Sequence, residues 1–180
     1  MDRAWDELAL ESIADLHGIE TRPFIPFAIA RLASDPVTME ARLAVELRGL
    51  RDADSIEHRR LRLTWAPDSV PRLPPGMQEN PVTEWAAVAV ACAVVWPYAG
   101  LRIHRVAEWG SSFDYWVRGA AGRLALEVSG TTTDDVAGRH REKVRQLRGN
   151  PYCVGGYVIV VGFGTRQVTF SRHEAEGGTP

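Results

Sequence analysis

A few charged side chains in the second half of the chain have types and spacings suited to one chemistry. Asp114 and Glu127 flank a Gly119-Ala120-Ala121-Gly122 turn. Pairing Arg118 with Arg123 closes that turn into a hairpin and sets Asp114 directly opposite Glu127. Opposed Cβ atoms in such a pair lie about 4.5–5.5 Å apart, so two carboxylates there repel unless something positive sits between them. A hard divalent cation answers that need, since Mg²⁺ typically takes one or two carboxylates plus water and substrate phosphate. Alternation places Asp114, Trp116 and Arg118 on one face with Arg123, Ala125, Glu127 and Ser129. Phe113, Tyr115, Val117, Leu124, Leu126 and Val128 fall on the other, expected as the core side. The competing reading is a solvated strand face whose acids are balanced by Arg118 and Arg123.

The elements that must position these residues are read from pattern. Asn80-Pro81 predicts a helix start, and an apolar stretch from Trp85 to Trp96 predicts a buried helix ending near Pro97. Strands are expected at about 101–107, 112–118 and 123–129. A helix capped by Thr133, Asp134 or Asp135 should follow to Arg148, and strands at 156–163 and 166–171 complete an α-β-β-β-α-β-β order. Upstream, residues 38–47 alternate as a half-buried strand, with helix the alternative that their Ala, Leu, Glu and Arg favour, 24–31 read as an edge strand because Pro26 cannot donate to a ladder, and 60–65 is a further strand candidate. Residues 4–16 fit helix or strand. The expected organisation is a small β-rich N-terminal unit over 1–65, a proline-rich linker over 66–81, a catalytic-type domain over 82–172 and a tail over 173–180.

Glu84 in the first of these helices, Asp114 in a strand and Glu127-Val128-Ser129 in the next resemble the PD-(D/E)XK nuclease superfamily, the restriction-endonuclease-like fold. The resemblance covers roughly 80–165, and the element order matches that family's αβββαβ core. It implies an α/β fold with a mixed sheet flanked by helices, and metal-dependent hydrolysis of phosphodiester bonds, with DNA favoured over RNA. Asp114, Glu127 and the Val128 carbonyl would hold Mg²⁺ or Mn²⁺, and Glu84 would orient water or a second ion. The family's motif lysine is here Ser129. Some members carry that lysine on the following helix, where this chain has Lys143, its only lysine, with Gln146 one turn on. Lys143 would stabilise phosphate charge, and Gln146 would position water or phosphate. Arg139, Arg141, Arg145 and Arg148 on the same helix would contact nucleic-acid phosphates. The alternative is a nuclease-like fold that does not cleave and serves as an assembly or nucleic-acid-binding subunit, the reading Ser129 favours. A defence setting is what the fold analogy suggests.

Composition limits the rest. The chain has 180 residues, 45% hydrophobic and 24% charged, which excludes wholesale disorder. Its formal charge of −2 excludes polyanion coating through net charge. Residues 1–80 carry 10 basic against 14 acidic side chains and residues 81–180 carry 11 against 9, so polyanion contact belongs to the second half. The acidic N-terminal unit suits a protein partner or a homodimer contact. Cys92 and Cys153 make neither a disulfide framework nor a zinc site, and the scattered histidines lack ligand spacing. His140 is expected at the core edge beside Val136, Val144 and Leu147, and Trp109 is expected to pack. The 12-residue apolar stretch is short for a bilayer crossing, and no signal segment is evident, so a cytoplasmic protein is expected with no membrane partner.

Overall fold

The computed structural model describes residues 4–35, 37–70, 73, 75–120 and 122–175. The strands are β1 (Asp6–Ala9), β2 (Glu40–Arg48), β3 (Ile56–Thr64), β4 (Arg102–Val106), β5 (Tyr115–Gly119), β6 (Gly122–Thr131), β7 (Gly156–Gly162) and β8 (Gln167–His173). The helices are α1 (Ile25–Leu32), α2 (Glu79–Ala99) and α3 (Val136–Arg148). All strands belong to one eight-stranded mixed sheet in the order β1-β3-β2-β8-β7-β6-β5-β4. The α-β-β-β-α-β-β order expected over the second half is the order observed, and the chain is an α/β protein.

Residues 1–65 do supply strands, but not a sheet of their own. β2 runs parallel to β8, with Val45 opposite Val168, so the N-terminal strands extend the same sheet. The segment expected as a linker holds a short 3-10 turn at Pro67–Ser69 and the first turn of α2. Pro71, Arg72, Pro74 and the tail beyond Ala175 lie outside the described residues.

Two local expectations are corrected. Residues 24–31 form a helix, not an edge strand: Ile25, Ala28, Ile29 and Leu32 are buried at i, i+3, i+4 and i+7. Pro26 fits because it stands in the first turn, where its missing N–H is not needed. Helix α2 starts at Glu79 after Gln78, so Asn80 is not its cap, and it runs through Pro97 to Ala99. Gly100 stops it in a left-handed conformation (φ 64°), its N–H donating to the Trp96 carbonyl.

Both sheet faces are covered at the β5–β8 end. On one face α2 packs with α1, and Val90, Val94, Leu126, Ile159 and Phe170 are fully buried. Among the described residues α2 is the one helix long and apolar enough to cross a membrane, and 67% of its most apolar stretch is buried inside the fold. On the other face α3 lies over β6 and β7, closing a smaller core of Phe113, Trp116, Ala125, Val136, Leu147, Val158 and Val160. The hairpin is therefore buried on both sides. Phe113 joins the Trp116 side, against the alternation expected, because the strand phase breaks between them at Asp114, whose N–H donates to the Leu126 carbonyl one residue out of the Tyr115–Leu126 register.

His140 is buried under α3, with Nε2 2.6 Å from Ser171 Oγ, and Ser171 Oγ is 2.8 Å from His173 Nε2. Burial, with nearby Arg48, pushes the His140 imidazole down to about 4. The unfolded chain takes up this proton near pH 6.5, whereas the fold resists it until about pH 4. Stability is thus complete above pH 6.5 and is lost as pH falls through that window. Urea unfolding at pH 7 and pH 5 should show a smaller acid loss for His140→Asn than for the native chain. Equal losses would remove His140 from the account.

Candidate functional site

The hairpin register is the expected one over Tyr115–Gly119. Arg118 faces Arg123 and Tyr115 faces Leu126, but the Asp114 N–H also donates to the Leu126 carbonyl at 3.1 Å, one residue out of that register, so the ladder ends at Tyr115 and the rung expected between Asp114 and Glu127 is not formed. Glu127 projects to the face covered by α3, and the Asp114 side chain lies along the open edge of β6 at Val128. Strand β5 begins at Tyr115, so beyond Glu127 the β6 edge has no strand beside it. Two carboxylates take the exposed N–H groups. Asp114 Oδ2 accepts from Val128 N at 2.8 Å, and Glu84 Oε2 accepts from Gly130 N at 3.1 Å. The carbonyl of an extended residue points the same way as its N–H, so the Val128 oxygen opens toward Asp114 as well.

Glu84 comes from the opposite side of the sheet. Helix α2 crosses β6 so closely at Gly130 that an added Cβ would stand 2.6 Å from the Thr83 carbonyl oxygen. Glu84, one residue on, therefore reaches around the open edge. Its Oε1 accepts from Ser129 Oγ at 3.2 Å and from Arg139 at 3.1 Å. Arg139 Nε also donates to Ser129 Oγ at 2.9 Å, and the same guanidinium pairs with Glu142 at 3.0 Å.

Lys143 lies one turn along α3 from Arg139. Its Nζ donates to Glu127 Oε1 at 2.6 Å and to Gln146 Oε1 at 3.0 Å. The Lys143 amine thus points into the carboxylates, and Gln146 orients it. Helix α3 is fixed at its start by Asp135, whose Oδ1 accepts from Gly138 N at 2.7 Å, and along its length by Val136 and Leu147 in the core.

Electrostatics follow from burial. The Glu127 side chain has 0% exposure, and its Oε2 is buried with no hydrogen-bond partner. Burial first, and then the Asp114 charge, push the Glu127 carboxyl up to about 8, while Lys143 opposes both. Burial also raises Asp114, against the Val128 N–H and the Lys143 ammonium. Two neighbouring carboxyls that resist ionisation together need either a proton or a cation. The Glu127 Oε2 and the Asp114 carboxyl are hard oxygen donors, the type of ligand Mg²⁺ takes. Among the described residues no three acidic, histidine or cysteine side chains form a cage by themselves, so such an ion would draw further oxygens from water or substrate.

The structure brings together Glu84, Asp114, Glu127, Val128, Ser129, Lys143 and Gln146. Glu84, expected to orient water or a second ion, is held by Ser129, Gly130 and Arg139. Arg139, expected on substrate phosphate, is an internal partner of the site; its (i, i+4) spacing to Lys143 was the available signal. Arg141, Arg145 and Arg148 leave α3 on the flank away from Lys143. Trp109 is fully exposed and does not pack. Comparison with protein-family models, with characterised proteins and with solved structures finds no match to this chain.

Asp114→Asn keeps an acceptor for Val128 N–H and removes one negative charge. Carboxyl carbon NMR should then find Glu127 titrating lower than in the native chain, yet still above the ordinary carboxylate range because burial remains. An unshifted Glu127 titration would show that the two carboxyls do not share one field.

Proposed function

We propose that the chain is a divalent-metal-dependent nuclease of the restriction-endonuclease-like class, hydrolysing phosphodiester bonds, with DNA favoured over RNA, in the cytoplasm. The observation that carries this reading is the fully buried Glu127, beside the Asp114 carboxyl at the open edge of β6, with the chain's one lysine turned onto it from α3. The run α2-β4-β5-β6-α3-β7, with β6 and β7 parallel, supports the same class.

Asp114, Glu127 and the Val128 carbonyl would hold Mg²⁺ or Mn²⁺. A bound ion offsets phosphate charge as it grows in the transition state and makes nearby water a stronger acid. Lys143 is held by Glu127 and Gln146, which leaves the third N–H of its ammonium for a phosphate oxygen at the site while Glu127 stays compensated. Glu84 keeps a partly exposed carboxylate, 41% accessible, on the solvent side of the site, where it can orient water. Ser129 and Arg139 hold that carboxylate in place. Phosphodiester hydrolysis here adds water oxygen to phosphorus, breaks the ester P–O bond and returns a proton to the departing oxygen.

A second reading has its own observation. Arg139 on Glu84 and Lys143 on Glu127 neutralise two of the three carboxylates from within the chain, and Ser129 is no lysine. That favours a non-cleaving, nucleic-acid-binding subunit of a larger assembly, with the N-terminal strands open to a protein partner.

Plasmid, single-stranded DNA and RNA incubated with Mg²⁺ or Mn²⁺ separate the two. Cleavage is expected, and Asp114→Asn, Glu127→Gln and Lys143→Met should each lower it by about 10²–10³-fold or more. Cleavage equal in all four proteins would defeat the enzymatic reading, and binding without cleavage would establish the second.

A further inference from the structure

Helix α3 has two flanks, and only one faces the carboxylates. At 3.6 residues per turn, Arg139, Lys143 and Gln146 share one side, while Arg141, Arg145 and Arg148 share the other. Beyond that second flank the sheet is bare. α3 covers β6 and β7, and toward β2 no helix among the described residues lies on this face, leaving Arg42, Ala44 and Arg48 exposed. Three adjoining cavities of about 450, 610 and 660 Å³ run along this junction, all bordered by Arg48 and His140. The charged walls are Arg48, Arg141, Arg145 and Arg148, with His140 and His173 on the floor. Arg141 and Arg145 are exposed and hold no ion pair among the described residues. The trough's own acids are few: Glu46 is paired with Arg48, Glu174 with Arg172, and Asp52 stands at one end.

We propose that this trough binds the phosphodiester backbone of a nucleic-acid strand, so that a substrate is held on both flanks of α3 at once. An extended, open-sided groove lined by cations suits a linear polyanion better than a small anion, which needs an enclosing pocket. Side-chain guanidinium forks on a helix face grip phosphate without reading bases, so the trough gives affinity and not sequence preference. The trough stands on its own charges; the idea that a scissile phosphate lies across the helix rests on the nuclease reading. An α-helix with side chains is about 10 Å across, and one strand rises about 3.4 Å per nucleotide, so reaching both flanks needs a strand of roughly four nucleotides or more.

The test is fluorescence anisotropy of the full chain with labelled DNA in EDTA, which prevents cleavage. Oligothymidylates of two to twelve nucleotides and a twenty-base-pair duplex serve as probes. Affinity should rise steeply between two and about six nucleotides. Arg141→Glu/Arg145→Glu should weaken binding at least tenfold, and Arg141→Ala/Arg145→Ala should flatten the log–log salt dependence by about two. Both sites are exposed, so the melting temperature should not change. Unaltered affinity and salt slope in both double variants would overturn the proposal, even if the chain cleaves DNA normally. Loss of binding in a chain that never cleaves would leave the trough standing and defeat only the nuclease reading. Displacement of DNA by polyglutamate at equal charge concentration would assign the trough to an acidic protein and overturn the nucleic-acid assignment.

Discussion

The contact between Glu127 and Lys143 is the constraint on which the site depends. A carboxylate with no accessible surface is expensive to ionise, and a single cation in hydrogen-bond contact offsets only part of that cost. The fold accepts it because α3 cannot move away: Val136 and Leu147 are locked into the smaller core and Asp135 fixes the first turn. Position along the helix then decides which side chain meets the buried acid. A shift by one residue would carry Glu142 or Val144 to that place, and neither can satisfy Glu127.

The carboxylates gather where they do because one strand is shorter than its neighbour. β5 starts opposite Leu126, and β6 continues to Thr131 with its outer N–H groups unpaired. Backbone donors left in a half-buried edge require acceptors. Asp114 and Glu84 supply them at Val128 and Gly130. The acids thus complete the sheet edge and, by the same act, crowd negative charge around one strand end. Structural need and chemical potential are not alternatives at this place. The close crossing of α2 at Gly130 is what lets an acid from the far face of the sheet take part, since any larger residue would lift Thr83 and Glu84 away.

Much of this was legible in the sequence. The glycine-bounded turn set the register of Tyr115–Gly119 against Gly122–Leu126, although not the rung expected between Asp114 and Glu127. The order of elements over the second half followed from proline, glycine and capping residues. Other features were hidden for physical reasons. Pro26 suggests a strand edge, yet the same residue suits a first helical turn, and the i, i+3, i+4, i+7 spacing of Ile25, Ala28, Ile29 and Leu32 was the signal that outweighs it. The pairing of β2 with β8 joins residues more than 100 apart in sequence, and alternation in each strand says nothing about its neighbour. The phase change at Asp114, where the chain slips one residue out of the hairpin register, is a backbone irregularity that no side-chain pattern announces.

The cations of α3 show how geometry sorts residues that composition groups together. As a string, Arg139, Arg141, Lys143, Arg145 and Arg148 make one basic helix. In three dimensions Arg139 and Lys143 are committed: their donors already face Glu84, Glu142 and Glu127, and drawing either onto an outside anion means leaving a carboxylate uncompensated. Arg141 and Arg145 carry no such obligation and can exchange water and counterions for phosphate at little internal cost. An arginine count therefore overstates what the inner flank offers a polyanion. The capacity to attract one resides on the outer flank, and the capacity to act on one resides on the inner flank, with the thickness of a single helix between them.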